Sequence, residues 1–349
     1  MLLKERLEAL IQLGKELTPD NEALQTAIRK TAYHNAWFTT DNQWKAINAI
    51  RDNFLSRELL EKWVSSYTFP TFEENQFKTI SLVLAGNIPL VGFHDLLCVF
   101  VAGHKAKIKL SDKDPYLIPF LINNLIAINP NVASSTHNND KVYFEIVEGA
   151  MKDFEAVIAT GSNNSSRYFE AYFGKYPHII RKNRNAVAVL RGDESVEDFR
   201  HLGEDIFTYF GLGCRNVSKI YVPRGYQFEP LLEVIHEFKE LVLHDKYKNN
   251  FDYQFTIVIL NKIKYHSNGC LMMIENEAIA SPIAMVYYEY YDNYKALSAQ
   301  LKTLKEAIQC VVAKAPIANL PTFNFGEAQK PTLSDYADGE DTMAFLLNL

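Results

Sequence analysis

Apolar positions recur at helical spacing over residues 1–66, as in Leu3, Leu7, Leu10 and Ile11 and again in Leu55, Leu59, Leu60 and Trp63, with Thr18-Pro19-Asp20 as a helix start between them. From Thr79 the pattern changes to short β-rich apolar runs alternating with longer amphipathic segments. The runs Ile80–Ala85, Ala106–Leu110, Val142–Val147 and Ala156–Ala159 predict strands, and residues 91–103, 116–127 and 164–175 predict helices. A second block predicts a strand Ala186–Leu190, a helix over 196–210, a strand Lys219–Val222, a helix over 227–243, and strands near 255–260, 270–275 and 284–291. Pro316–Pro331 holds three prolines and no clear period, and predicts a loop or crossing segment before the terminal piece Asp335–Leu349. Strands alternating with helices imply βαβ units in a mostly parallel sheet, with ligands held outside the carboxyl ends of the strands. The fold class is therefore α/β, in two layers of this kind.

Composition narrows the function classes. The 349 residues suffice for about two domains, or for one large α/β unit with insertions. Apolar residues at 48% and charged residues at 22% exclude a disordered or fibrous chain. With 36 Lys and Arg against 42 Asp and Glu, the net charge of −6 offers no footprint for nucleic acid or an anionic membrane. The segment Tyr287-Tyr288-Glu289-Tyr290-Tyr291 is accordingly expected to be a packed strand rather than a base-stacking platform. Cys98, Cys214, Cys270 and Cys310 lie far apart, without a CxxC or a Cys/His cluster, so neither a metal site nor a disulfide framework is expected. The charged amphipathic start does not read as a secretion signal, and Gly86, Asn87, Pro89, His94 and Asp95 interrupt the best apolar stretch short of the roughly 18 residues a bilayer span needs. The expectation is a cytoplasmic protein working on a small molecule.

Four segments have the residues for chemistry. In Leu84-Ala85-Gly86-Asn87-Ile88-Pro89 an apolar strand ends in a glycine turn, and Asn87 at that corner is placed either to donate to an oxyanion or to make a simple Asx turn. Lys109-Leu110-Ser111-Asp112 also ends a strand; its lysine and carboxylate can bracket ribose hydroxyls, or form a solvated loop with Ser111 or Asp112 as a helix cap. Thr160-Gly161-Ser162-Asn163 opens a helix whose first N–H groups suit a pyrophosphate, and equally suit an ordinary capped turn. In Gly211-Leu212-Gly213-Cys214 two glycines admit close backbone approach, and a helix starting near Cys214 would favour its thiolate. Cys214 is the nucleophile candidate, whereas packing is the default for the other three cysteines. No GxSxG, HExxH or Walker loop supports a hydrolase or nucleotidase reading.

Taken in order, Gly86-Asn87-Ile88-Pro89, Lys109-Leu110-Ser111-Asp112, Gly161-Ser162 and Gly211-Leu212-Gly213-Cys214, followed by Ser218-Lys219-Ile220-Tyr221-Val222, resemble the aldehyde dehydrogenase superfamily. Within it, Asp335-Tyr336-Ala337-Asp338-Gly339-Glu340-Asp341-Thr342 and the short lead-in look most like the fatty acyl-CoA reductases of the bioluminescence (LuxC) type. The likeness covers about residues 75–345. It implies a Rossmann-like cofactor domain over 1–185, a nucleophile domain over 186–325, and a tail over 326–349 that crosses to a partner subunit of a homo-oligomer. It further implies Cys214 as nucleophile and Asn87, with the Cys214 amide, as oxyanion hole. Lys109 and Asp112, with Ser111, would hold the adenosine ribose, and Ser162, with Gly161, the pyrophosphate. The substrate implied is an acyl-CoA, and the cofactor NADPH, with NADH as the alternative.

The sequence departs from the superfamily in three places. The catalytic Glu-Leu-Gly-Gly-Lys segment of aldehyde-oxidising members is matched by Ile180-Arg181-Lys182-Asn183-Arg184-Asn185, so the base that activates water is missing. The later Glu-Ile-Phe-Gly-Pro segment appears as Ala278-Ile279-Ala280-Ser281-Pro282, leaving Glu277 as the only substitute carboxylate for the nicotinamide ribose, and Ser166 stands where a glycine is usual. Thioester exchange needs no activated water, because thiolates both attack and leave, so acyl-CoA reduction is favoured over aldehyde or semialdehyde oxidation. A non-catalytic acyl-CoA-binding protein of the same fold is the alternative from another class.

Overall fold

The computed structural model describes residues 1–70, 77–133, 142–317 and 320–349. They form two units: Met1–Lys182 together with Thr332–Leu349, and Asn183–Pro331. The terminal residues from Thr332 thus group with the first unit.

The first unit opens with four helices, α1 (Leu3–Glu16), α2 (Glu22–His34), α3 (Thr40–Phe54) and α4 (Arg57–Val64). Asn21, Thr39 and Ser56 cap the last three, each side chain accepting a backbone N–H of the first turn. Next come β1 (Thr79–Val83), α5 (Phe93–Ala102), β2 (Lys105–Lys109), α6 (Leu117–Ile128), β3 (Phe144–Ile146), β4 (Ala156–Thr160), α7 (Asn163–Phe173) and β5 (His178–Arg181). The five strands make one parallel sheet in the order β3-β2-β1-β4-β5. The chain moves outward from β1 to β3, then returns to the far side of β1 with β4. The switch point, where such sheets open a crevice, lies between the carboxyl ends of β1 and β4. Leu10, Leu13, Ile28, Ile47 and Trp63 of the lead-in helices share one core with Leu82, Val99 and Leu121 of the α/β layer, and with Met343 and Leu346 from the chain's end.

The second unit holds β6 (Asn185–Val189), α8 (Val196–Phe207), β7 (Val217–Pro223), α9 (Glu229–Ile235), α10 (Asp245–Leu260), β8 (His266–Ser267), β9 (Met272–Glu275), β10 (Met285–Tyr291), α11 (Tyr294–Thr303), β11 (Ile308–Ala313) and β12 (Thr322–Phe323). Its sheet runs β12-β11-β6-β7-β10-β9-β8, parallel except for β8. Helix α12 (Thr342–Leu347) belongs to the first unit.

Three expectations are corrected. Residues 255–260 are not a strand but the last turns of α10. Along that helix Tyr247 and Val258 are buried and Phe251 and Gln254 half-buried, the i, i+4, i+7, i+11 spacing of a helix face, while Ile259 and Leu260 are exposed. The helix expected over 196–210 ends at Phe207, because Tyr209 and Phe210 take positive φ, 55° and 58°. The segment 316–331, expected to be a loop or crossing segment, includes the two-residue strand β12; residues 318–319 lie outside the described residues. Tyr287–Tyr291 falls within β10, the packed strand expected.

Candidate active site

The registers Val83↔Lys109 and Val83↔Ala159 bring the carboxyl ends of β2, β1 and β4 level, so the segments with Lys109–Asp112, Gly86–Asn87 and Gly161–Ser162 leave one edge of one sheet side by side. The first two are fastened together. Leu84 N–H donates to Lys109 O over 3.0 Å. The carboxylate of buried Asp114 accepts Leu90 N–H at 2.9 Å, steadying a residue at φ +57°. Burial pushes Asp114 up to about 6, against the opposing effect of the backbone N–H bonds it accepts. From outside, the end of α2 holds the same loop: His34 Nε2 lies 2.6 Å from Asp112 O, and Asn35 Nδ2 donates to Lys113 O at 3.1 Å.

Within this frame Lys109 and Asp112 are exposed, with Lys109 Nζ donating to Gly149 O at 2.9 Å, and Ser111 is half-buried with Oγ accepting Lys113 N–H. Asn87 is half-buried in the bend between β1 and α5. Ser162 caps α7, its Oγ accepting Ser165 N–H at 3.1 Å. Gly161 is required there, because a Cβ would stand 2.8 Å from the Phe169 ring and 2.9 Å from Ser165 Cβ. Ser166, at the usual glycine position, is buried and donates to Asn163 O at 2.9 Å. A helix start at the switch point, with a lysine and a carboxylate on the loop that leaves the neighbouring strand β2, matches the needs of a dinucleotide's pyrophosphate and ribose, so the donor set fits such a cofactor.

In the second unit Cys214 occupies a turn between a short 3-10 segment, Thr208–Gly211, and the amino end of β7. No helix starts there; the expected thiolate-favouring helix terminus is replaced by a turn in which Asn216 N–H returns to Gly213 O at 3.1 Å. Gly211 supplies the left-handed φ of +77° that lets the chain double back after Phe210. Cys98, Cys270 and Cys310 are buried, whereas Cys214 is half-buried. Gly211 and Val217, on either side of the turn, line a small open cleft of about 310 Å³ including the solvent at its mouth, together with Phe207, Phe210, Ser218, Tyr247 and the Ser281–Met285 segment. The stretch matching the superfamily's later motif thus borders the same cleft, with Ser218 Oγ donating to Ile279 O at 2.7 Å. Glu277 is exposed on that stretch.

Sequence reasoning passed over several residues. Asn216 is buried and its amide makes four hydrogen bonds in the turn that holds Cys214. Lys219, fully buried on β7, is held by Glu289 Oε2 and Asn276 O, each at 2.6 Å, with its pKa lowered chiefly by desolvation. Arg181, at the position of the missing base segment, is buried against Asp95 at 2.5 Å and donates to Thr342 Oγ1 at 2.8 Å. A lone Asn or Arg has no periodic signature, so only the wish to find partners for a polar residue beside the candidate thiol would have singled out Asn216. Among the described residues no cluster of three or more His, Cys, Asp or Glu could hold a metal, and no helix is long and apolar enough to cross a membrane.

Residues 12–248 match the family model described as acyl-CoA reductase (LuxC). Long-chain acyl-protein thioester reductase 2 from Photobacterium leiognathi is 20% identical over 216 residues, which are 58% of this chain and 44% of that protein. The chain therefore matches less than half the length of this curated relative. Among solved structures, aldehyde dehydrogenase 21 from Physcomitrella patens, in complex with the reaction product succinate, superposes with TM-score 0.69 at 13% identity over 100% of this chain and 84% of that one. An oxidoreductase from Marinobacter aquaeolei gives 0.66 at 10% identity over 95% and 79%. An aldehyde dehydrogenase variant from Pseudomonas syringae, complexed with NAD+ and octanal, gives 0.62 at 11% over 90% and 73%. The fold is that of the aldehyde dehydrogenases.

Proposed function

The chain belongs to the acyl-CoA reductase (LuxC) family, and from that premise we propose that it reduces a fatty acyl-CoA to the aldehyde through an acyl thioester on Cys214. The observation that carries the proposal is the half-buried thiol of Cys214, in a turn that two glycines lead into and that borders an open cleft, in a chain whose other cysteines are buried. The Cys214 thiolate attacks the acyl-CoA carbonyl carbon. Collapse of the tetrahedral adduct breaks the bond to CoA sulfur, and CoA leaves as thiolate. Asn87 is proposed to donate to the oxyanion of that adduct.

A nicotinamide dinucleotide, when bound, would supply the hydride to the acyl carbon, and the bond from that carbon to Cys214 Sγ then breaks, releasing the aldehyde and returning the Cys214 thiolate. Lys109, Ser111 and Asp112 would hold its adenosine ribose, and Gly161 and Ser162 its pyrophosphate. NADPH is favoured, since Asp112 is short enough to leave room beside Lys109 for a 2′-phosphate. Hydrolysis of the acyl-enzyme is disfavoured, because the segment that carries the base in aldehyde oxidation supplies Arg181, whose charge is taken up by Asp95.

Incubation with radiolabelled palmitoyl-CoA, followed by denaturation, tests the proposal. The wild type is expected to retain label and Cys214→Ala none, with NADPH consumption lost in the variant. Equal label in both, or aldehyde oxidation to free acid without CoA, would overturn it.

A further inference from the structure

We propose that Asn216 is the positioning residue for the nucleophile: its buried amide fixes the turn that presents Cys214. The proposal rests on Cys214 being acylated. Asn216 is 2% exposed. Its Oδ1 accepts Gly213 N–H at 2.7 Å, on the residue just before the thiol. Its Nδ2 donates to Thr208 O at 2.8 Å, Asp205 O at 3.0 Å and Ile206 O at 3.2 Å, which are carbonyls at the end of α8. Those carbonyls would otherwise be left without intrahelical partners where the helix stops. One side chain therefore fastens both ends of the loop 208–213.

The loop needs such a tie. Tyr209 and Phe210 sit at φ 55° and 58°, a conformation costly for bulky side chains, and Gly211 follows at +77°. Backbone strain of this kind persists only where surrounding bonds over-determine it. The anchorage continues beyond the turn: the carboxylate of Asp205, whose carbonyl Asn216 holds, accepts Gly326 N–H at 2.7 Å and Ala328 N–H at 3.2 Å. The main chain of Asn216 also joins the sheet, with Ala186 N–H donating to its carbonyl at 3.2 Å. Cys214 is thus attached at its C-terminal side to a rigid strand and at its N-terminal side, through Gly213, to the amide of Asn216.

The test uses the full chain with Asn216→Leu, which keeps the volume and removes all four bonds, and Asn216→Asp, which keeps an acceptor for Gly213 N–H and loses the amide donors. Single-turnover acylation by radiolabelled palmitoyl-CoA, the dissociation constant for NADPH and the melting temperature are measured for each, well below the melting point. The expectation is a fall in acylation rate of roughly 100-fold for Asn216→Leu and a smaller fall for Asn216→Asp, as for an ångström-scale misplacement of a reacting group, with NADPH affinity within about twofold of wild type. A purely structural role would lower the melting temperature and leave the acylation rate of the folded fraction unchanged, which overturns the proposal. Should Asn216→Leu fail to fold, an unchanged rate in Asn216→Asp overturns it equally. Absence of label in the wild type would instead remove the underlying reading of Cys214, and the proposal with it.

Discussion

Gly86 and Ser111, on the loops that leave neighbouring strands β1 and β2, pack so closely that a Cβ at 86 would stand 2.3 Å from Ser111 Oγ and 2.6 Å from its Cβ. The glycine at the proposed oxyanion corner is therefore what lets the proposed ribose loop close against it. A methyl group there must push Ser111 outward, and overpacking of this kind costs about 1–3 kcal/mol. Gly86→Ala is expected to weaken NADPH binding by roughly tenfold or more, since about 1.4 kcal/mol corresponds to a factor of ten. Fluorescence titration with NADPH measures it. Wild-type affinity in the variant would separate this loop from the cofactor.

Lys109 and Asp112 are both exposed at that loop, so their charges would act on a nucleotide bound there, as proposed, while contributing little to folding. Lys109→Ala should raise KM for NADPH more than for NADH, by several-fold, because a point charge opposite the 2′-phosphate is lost. Asp112→Asn should shift preference the other way, towards NADPH, by removing a carboxylate from the same place. Steady-state kcat/KM with the two nucleotides, at low and high salt, decides between this and a merely solvated loop, in which both ratios stay at wild-type values.

The buried pair Asp95–Arg181 ties α5 to the end of β5, and Thr342 at the start of α12 shares the guanidinium. Gly161 N–H also donates to Arg181 O at 3.3 Å, so the same residue anchors the proposed pyrophosphate loop. Removing one member of a buried pair leaves the other uncompensated, typically at about 3–5 kcal/mol. Asp95→Ala is expected to destabilise by that order in urea unfolding. Thr342→Val, which removes one hydrogen bond to a charged group, should cost about 1.5–3 kcal/mol. A ranking in the reverse order would contradict the burial argument.

The α/β alternation was legible because parallel strands with both faces covered are short apolar runs, such as Ala156–Thr160 in β4, set between helices that alternate with them. The corners at Asn87, Lys109 and Ser162 were legible for the same reason: each follows such a run. Residues 255–260 misled because their β-branched content resembles a strand, while the helical period that decides the matter begins earlier, at Tyr247. The turn at Cys214 was open to a helical reading because the positive φ of Tyr209 and Phe210 is set by Asn216 and its carbonyl partners, a tertiary arrangement that local propensity does not encode. The return of the terminal residues to the first unit is made by contacts distant in sequence, among them Trp63 Nε1 donating to Tyr336 OH at 2.8 Å, across 273 positions of chain.

Stability should depend on pH through Asp205. Its carboxyl is fully buried, and desolvation raises it to about 7 in spite of the Gly326 and Ala328 N–H groups it accepts. In the unfolded chain the same group titrates near 3.9. Between these values the folded protein holds a proton that the unfolded chain has lost, so stability falls as pH rises from about 4 to about 7, with a limiting slope of about 1.4 kcal/mol per pH unit, and levels off above. Asp114, raised to about 6, adds a slope of the same sign over the lower part of that window. Asp205→Asn carries no titrating group at the site, and its melting temperature relative to wild type should therefore be less favourable at pH 5 than at pH 8. Thermal melts of both proteins across that range measure the difference; curves that run parallel would mean that Asp205 titrates as an ordinary carboxyl, and that burial is not what governs it.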